Sequence, residues 1–233
     1  MNVGSEDDHI PKPSVARLAT YLHVLRSFSQ RGVLIASSNQ LATAAGVNPA
    51  ILRKDLSYVG GNGVRGVGYD VSRLTARISM ALHTDNTHTV ALVGAGALGE
   101  ALIAHTGFGR GFEVLAIFDD DPSLIGTTVN GLRVAPLSEV SYLADASGER
   151  VEIGVIATTA EVAQDACDAL VAAGVRYLLN ITTATLLTDS DVVVRQVDLA
   201  LELQVLAFQA SRSPLQTGVV PASGAHLRTA EQG

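Results

Sequence analysis

Six consecutive residues constrain this chain more than any others: Gly94-Ala95-Gly96-Ala97-Leu98-Gly99. They follow directly on the apolar run Val90-Ala91-Leu92-Val93 and open a stretch of helical character. Three glycines at this spacing allow a tight turn, close backbone approach to a pyrophosphate, and close packing of helix on strand. The helix start adds unpaired N–H groups and a partial positive charge. A lone GxGxxG is weak, but one with a strand before it and a helix after it predicts a dinucleotide fold. The next apolar run, Val114-Leu115-Ala116-Ile117-Phe118, ends in Asp119, twenty residues beyond Gly99. A carboxylate there accepts hydrogen bonds from an adenosine ribose. Asp120 and Asp121 follow, and no arginine adjoins them. A 2′-phosphate would meet clustered negative charge, so the expected ligand is NAD(H) rather than NADP(H). The competing reading is a glycine-rich turn of an α/β fold that binds something else.

The pattern around this motif alternates between strands and helices, as a Rossmann-type doubly wound parallel sheet requires. Strands are expected at Thr89–Val93, Phe112–Phe118, Val151–Ala157, Arg176–Asn180 and Val192–Val197. Helices are expected at Ala97–His105, Leu137–Asp145, Ala160–Ala173 and Leu199–Gln209. This places a nucleotide-binding domain over residues 85–198 and a C-terminal helix within 199–213. Residues 1–13 and 214–233 read as tails, rich in Pro, Ser, Gly or charge and without apolar periodicity.

The N-terminal third follows a different plan. Leu18, Leu22 and Leu25 recur at helical spacing, widened by Tyr21 and Phe28. A second helix starts after Ser37-Ser38 and stops at Gly46; Asn48-Pro49 then caps and starts a third. The third helix is expected to turn Ile51, Leu52 and Leu56 inward and Ala50, Arg53, Lys54 and Ser57 outward. Two short helices about a tight turn make a helix-turn-helix. Residues 60–69 hold five glycines, and Asn62-Gly63 is a hairpin turn signal, so this stretch reads as the wing of a winged helix. Asp70 then caps a fourth helix carrying Val71, Leu74, Ile78 and Leu82 on one face. The expected winged-helix domain spans residues 14–84.

Charge divides along the same line. From Lys12 to Thr84 nine basic residues face only Asp55 and Asp70, whereas from Asp85 onward seven arginines face 18 acidic residues. A chain of net charge -7 with a basic N-terminal third suggests a nucleic-acid module joined to something else. The single cysteine, Cys167, excludes an internal disulfide framework and a cysteine-based metal cluster, and reads as core packing. There is no signal-like N-terminus, nor an apolar run near the roughly 20 residues that span a bilayer. The expectation is a cytoplasmic protein without metal or membrane partners. A dehydrogenase needs a proton donor or acceptor beside the nicotinamide. Both lysines, Lys12 and Lys54, precede the nucleotide region, and only His105 of six histidines falls within its elements. Binding without catalysis is the expectation.

Several strings in this order resemble the Rex family of redox-sensing repressors. They are Arg53-Lys54-Asp55-Leu56-Ser57-Tyr58, Gly63-Val64-Arg65-Gly66-Val67-Gly68-Tyr69, Gly94 to Gly99, and Asp119-Asp120-Asp121-Pro122. Val197-Asp198-Leu199 followed by Glu202-Leu203-Gln204 resembles the family's C-terminal signature, so the likeness runs from Val15 to Gln209. It implies a homodimer that exchanges its C-terminal helix, binds inverted-repeat operators with NAD⁺, and releases DNA when NADH binding closes the nucleotide domains together. It implies Arg53, Lys54 and Ser57 on the major groove, where Arg and Lys donate to guanine O6 and N7, with Arg65 and Gly66 on the wing. For the nucleotide it implies Gly94 through Gly99, Asp119, Asp121, Thr158 and Asn180.

The chain departs from the family at positions that link the domains and face the nicotinamide. Asp198 is kept, but His23 and His105 stand where some members have arginine and tyrosine. A switch through His23, His105 and Asp198 would be pH-sensitive, since histidine titrates near neutrality; drift, with both histidines locally satisfied, is the alternative. Thr159 replaces a proline, and Asn180-Ile181-Thr182-Thr183 replaces Asn-Phe-Ala-Pro, changes expected to weaken nicotinamide contact or loosen the loop. Three functions follow: an NADH-responsive repressor, a DNA-binding paralogue with a weak or different nucleotide response, and an oxidoreductase with a basic appendage.

Overall fold

Separate apolar cores organise the described residues, 10–104, 111–144 and 150–212 of a computed structural model. The first belongs to four helices: α1 (Lys12–Gln30), α2 (Ser38–Ala44), α3 (Pro49–Tyr58) and α4 (Val71–Ala81). Leu18, Tyr21, Leu22 and Leu25 of α1 meet Leu41, Leu52, Leu56, Leu74 and Ile78 there. Helix α1 starts at Lys12, inside the stretch read as a tail. The caps at Asn48 and Asp70 fall where the sequence placed them, and α2 starts at Ser38, one residue before the expected start. Ser37 and Gln40 form a reciprocal capping box on α2, Asn48 accepts from the Ala50 N–H, and Asp70 accepts from the Arg73 N–H. Each such cap contributes about 0.5–2 kcal/mol.

Helix α3 corrects one expectation. Leu52 and Leu56 are buried, but Ile51 is exposed and Asp55 is buried in its stead. The position is inward by geometry, and Asp55 is tolerated there because Arg17 and Tyr21 of α1 meet its carboxylate. The wing corrects another. The short strands β1 (Ile35–Ala36) and β2 (Tyr69–Asp70) pair antiparallel at its base. Its turn lies at Arg65-Gly66, not Asn62-Gly63: Val64 O accepts from the Val67 N–H, and Gly66 takes φ +81°, which glycine adopts without strain.

The second body is a seven-stranded sheet. Its strands are β3 (His88–Val93), β4 (Phe112–Asp119), β5 (Thr128–Val129), β6 (Leu132–Pro136), β7 (Ile153–Ile156), β8 (Tyr177–Asn180) and β9 (Val193–Gln196). They lie in the order β5-β6-β4-β3-β7-β8-β9, parallel except for the antiparallel β5. Without β5 this is the doubly wound order, whose chain reversal beside β3 opens a crevice at the strands' carboxyl ends. Alternate residues of β3 face opposite layers. Ala91 and Val93 pack toward α6 (Ala163–Ala172), and Val90 and Leu92 toward Ile103 of α5 (Ala97–Ala104). The segment Leu137–Ala144 is a 3-10 helix. Strands β5 and β6 have no counterpart in the sequence reading, although Asn130 and Gly131, with φ of 48° and 86°, form the tight turn between them.

Helix α7 (Leu199–Arg212) is capped by Asp198, whose Oδ1 accepts from the Ala200 and Leu201 N–H groups. It has no buried residue, and Leu199, Leu203, Leu206 and Phe208 all face solvent. Among the described residues, no helix is long and apolar enough to cross a membrane. Residues 214–233 and His105 lie outside the described residues.

Candidate functional site

The cleft at the carboxyl ends of β3, β4 and β7 encloses about 580 Å³, within the range of small-ligand sites. Gly94, Gly96, Ala97, Leu98, Asp119, Asp121 and Thr158 line it, all predicted from sequence; Asp120, Leu124, Leu137, Thr159 and Val162 join them. The glycines divide the work. Gly94 has φ +107°, and a Cβ there would come within 2.5 Å of the Ala157 carbonyl oxygen. A Cβ on Gly99 would stand 1.9 Å from the Gly94 oxygen, so this glycine lets α5 close on the loop. A Cβ on Gly96 would meet nothing within 4 Å and would stand in open space. The protein's own packing does not require glycine at 96, whereas a pyrophosphate seated over the loop does. The first helical bond runs from the Glu100 N–H to Gly96 O, leaving the first-turn amides of α5 without helical acceptors.

Asp119 bridges the two halves of the cleft. Its Oδ2 accepts from the Ala95 N–H at 2.7 Å and its Oδ1 from the Asp121 N–H at 2.8 Å. A carboxylate has about four acceptor positions, so a ribose diol finds two still open. Asp121 accepts from the Ser123 hydroxyl and amide, which hold its carboxyl below the usual carboxylate range. Ala95 and Gly99 sit behind the cleft wall, buried. The residues fit an adenosine diphosphate moiety, with carboxylates rather than a cation at the 2′ side.

Asn180 is not brought to this cleft. It is fully buried: Nδ2 donates to Ala184 O and Gln196 Oε1, and Oδ1 accepts from the Thr182 N–H and hydroxyl. All four hydrogen-bonding positions of the side chain are spent inside the protein, where it braces the β8–β9 connection. Thr182 also accepts from the Ala184 N–H, and Gln196 Nε2 donates to Thr182 O. The loop expected to loosen without its aromatic and proline is held by this polar brace.

The residues expected to read DNA lie on α3 and the wing. Arg53, Lys54, Ser57, Arg65 and Gly66 are all exposed. Arg53 and Arg65 line one groove of about 510 Å³, together with Ser37, Ser38 and Asn39 at the start of α2. Arg17, by contrast, does not belong to this face. Its Nε and Nη2 donate to Asp55 at 2.6 and 2.7 Å, and Tyr21 donates to Asp55 at 2.8 Å. Burial pushes the Asp55 carboxyl up, but Arg17 and Tyr21 outweigh it and the net shift is downward. Sequence reasoning missed this triad. The available signal was a lone acid on the inward stripe of α3.

Of the expected switch residues His23, His105 and Asp198, only His23 and Asp198 lie among the described residues. His23 is exposed on α1, Asp198 caps α7, and no hydrogen bond or ion pair joins them among the described residues. The histidine contact that does link the two bodies is His88, at the start of β3. Its Nδ1 lies 2.5 Å from Glu152 Oε2 and its Nε2 lies 3.1 Å from the carbonyl oxygen of His83, just beyond α4. Acceptors at both nitrogens favour the imidazolium; Glu152 raises the His88 pKa against the opposing effect of burial. A raised histidine pKa stabilises fully below the ordinary value, and that stability is lost as pH climbs through the raised value. Thermal melts from pH 6 to 9 are therefore expected to fall for wild type and to stay flatter for His88→Gln. Parallel profiles would remove His88 from this role.

Comparison with known proteins adds the lineage. A family model described as "Putative DNA-binding protein N-terminus" matches residues 9–57, and one described as "CoA binding domain" matches 85–184. The chain is 46% identical over 229 residues to the redox-sensing transcriptional repressor Rex of Streptomyces avermitilis, covering 96% of this chain and 90% of that protein. It is 48% identical over 204 residues to the Streptomyces coelicolor Rex, covering 87% and 78%. Among solved structures it is similar to RSP in complex with NAD⁺ and operator DNA, at 28% identity and a TM-score of 0.76 over 87% of this chain and 93% of that one. RSP in complex with NADH gives 27% identity and the same TM-score, over 87% and 95%. With a relative this similar along nearly its whole length, a winged helix ahead of a doubly wound sheet, and a glycine loop shaped for a dinucleotide, the chain belongs to the Rex family of redox-sensing transcriptional repressors.

Proposed function

We propose that this chain is a redox-sensing repressor that holds inverted-repeat operator DNA with NAD⁺ in its cleft and lets go when NADH replaces it. The observation that carries the reading is the pairing, on one chain, of the Arg53–Arg65 groove with a cleft whose Gly96 leaves room only a ligand uses. RSP, similar over most of this chain, binds both NAD⁺ with operator DNA and NADH. Arg53, Lys54 and Ser57 face the major groove; Arg65 and Gly66 at the wing tip reach the backbone or minor groove. Gly94, Gly96 and the first turn of α5 hold the pyrophosphate, and Asp119 the ribose. Thr158, on the cleft wall beyond Ala157, stands toward the nicotinamide end.

The chain is a regulator and not an enzyme on this reading. The cleft's described lining carries no His, Lys, Cys or Tyr to move a proton. A repressor of this kind works in the bacterial cytoplasm. It works as a homodimer, with residues 14–84 and 85–198 as its two domains and α7 exchanged between subunits. Among the described residues α7 buries none of its side chains, and the exposed hollow across β3, β7, β8 and β9, lined by Val90, Ile153, Val155 and Leu179, matches its apolar side chains. Binding without release by NADH would favour a paralogue with a different nucleotide response; absence of operator binding would favour an oxidoreductase. Arg53→Ala is expected to weaken operator binding by roughly 1–3 kcal/mol and to relax preference at one base pair. Fluorescence anisotropy on matched and substituted operators measures this, and unchanged affinity takes Arg53 off the reading face.

A further inference from the structure

A second hollow lies across the wing from the reading groove. It encloses about 240 Å³ between the wing base and α4, and Gly60, Asn62, Arg73 and Arg77 line it. Val64, Gly68 and Tyr69 line both this hollow and the Arg53–Arg65 groove, so one hairpin separates them. We propose that this hollow seats a DNA backbone phosphate, with Arg73 as its donor. The inference rests on the operator-binding reading.

The two arginines have different tasks. Arg77 Nη1 donates to the Gly60 carbonyl, and a Cβ on Gly60 would come 2.7 Å from that nitrogen, so this guanidinium is fixed against the wing base. Arg73 sits one turn earlier on α4 and is exposed; its guanidinium makes no hydrogen bond or ion pair among the described residues. Asp70, the acid lining the hollow, caps α4 by accepting from the backbone N–H of Arg73 rather than from its side chain. Two guanidiniums thus line the hollow with a single carboxylate, leaving it a net positive charge. A free, planar guanidinium beside an amide side chain, Asn62, is suited to a phosphate, which it can bind through two parallel hydrogen bonds. A wing that brings Arg65 to the duplex carries sugar–phosphate along both flanks of the hairpin, and the Arg73 hollow is one flank. Such a contact fixes position without reading sequence.

The test is anisotropy of the full chain on an operator duplex and on a scrambled duplex from 50 to 200 mM salt. Arg73→Gln should weaken both duplexes by the same factor. It should also lower the slope of log K against log salt by about 0.9 per subunit, or about 1.8 for a dimer on an inverted repeat. Arg73→Lys keeps the charge and should keep the wild-type slope. Wild-type affinity and slope in Arg73→Gln would overturn the seat while leaving the operator reading intact. A loss confined to the operator would overturn it too, since it would make Arg73 a base reader. Wild-type failure on both duplexes would overturn the operator reading and the seat with it. An unchanged melt of Arg73→Gln, which lies outside the core, separates these results from misfolding.

Discussion

Replacing Asp55 with alanine is expected to cost the winged-helix domain about 1.5–3 kcal/mol, because it removes charge-assisted hydrogen bonds and orphans the buried Tyr21 hydroxyl while the partly exposed Arg17 still reaches water. The side chain is almost wholly buried, bridged by two guanidinium nitrogens of Arg17 and by the Tyr21 hydroxyl. Its loss leaves the Tyr21 hydroxyl and the Arg17 Nε–H without their acceptor, with only Ser14 still accepting from Arg17. Urea unfolding followed by helical circular dichroism measures the effect, and operator binding should fail with it because α1 no longer fixes α3. A cost below about 1 kcal/mol, typical of an exposed pair, would contradict the assignment. The pH dependence has a definite sign. The Asp55 pKa is lowered in the fold, so its stabilisation is present above the ordinary carboxylate value and is lost as pH falls toward the lowered one.

Gly99→Ala is expected to abolish the nucleotide response while sparing the DNA reader. The added methyl would stand 1.9 Å from the Gly94 carbonyl oxygen, a backbone atom that moves only if the glycine loop moves. Opening the loop displaces the amides aimed at the pyrophosphate. NADH affinity, followed by its fluorescence, should drop more than about 100-fold, equivalent to about 2.7 kcal/mol. The core of the winged helix shares no residue with this loop, so operator affinity should hold. Alanine at Gly96 makes a useful companion, since nothing in the protein itself would obstruct it. Lost NADH binding there reports on ligand contact alone.

The elements legible in the sequence were those with strong local chemistry. Caps at Asn48 and Asp70 fixed helix starts, and Val90–Val93 ahead of Gly94 fixed the central strand and its turn. Three kinds of feature escaped. In strand β6 Arg133 and Pro136 interrupt the apolar run, so no periodicity marks it, although Asn130-Gly131 is a hairpin turn signal. The Arg17–Asp55 pair joins residues 38 positions apart, a separation no local pattern carries. Ile51 was expected inward, but position 55 rather than 51 shares the helical face of Leu52 and Leu56, and Arg17 and Tyr21 satisfy the carboxylate there. In the nucleotide cleft the glycine motif and Asp119 were readable because each has its own spacing. Asn180 was not, because its amide is consumed by Thr182, Ala184 and Gln196, partners that only the folded β8–β9 connection assembles.

The central claim is that one chain couples operator DNA to the redox state of its nucleotide. The most direct measurement titrates a preformed complex of the full chain and an inverted-repeat operator with NADH and, separately, with NAD⁺. Wild type should release the operator with NADH and keep it with NAD⁺, and Gly99→Ala should keep it with either. Retention of DNA by wild type at saturating NADH, or equal release by both nucleotides, would contradict the account.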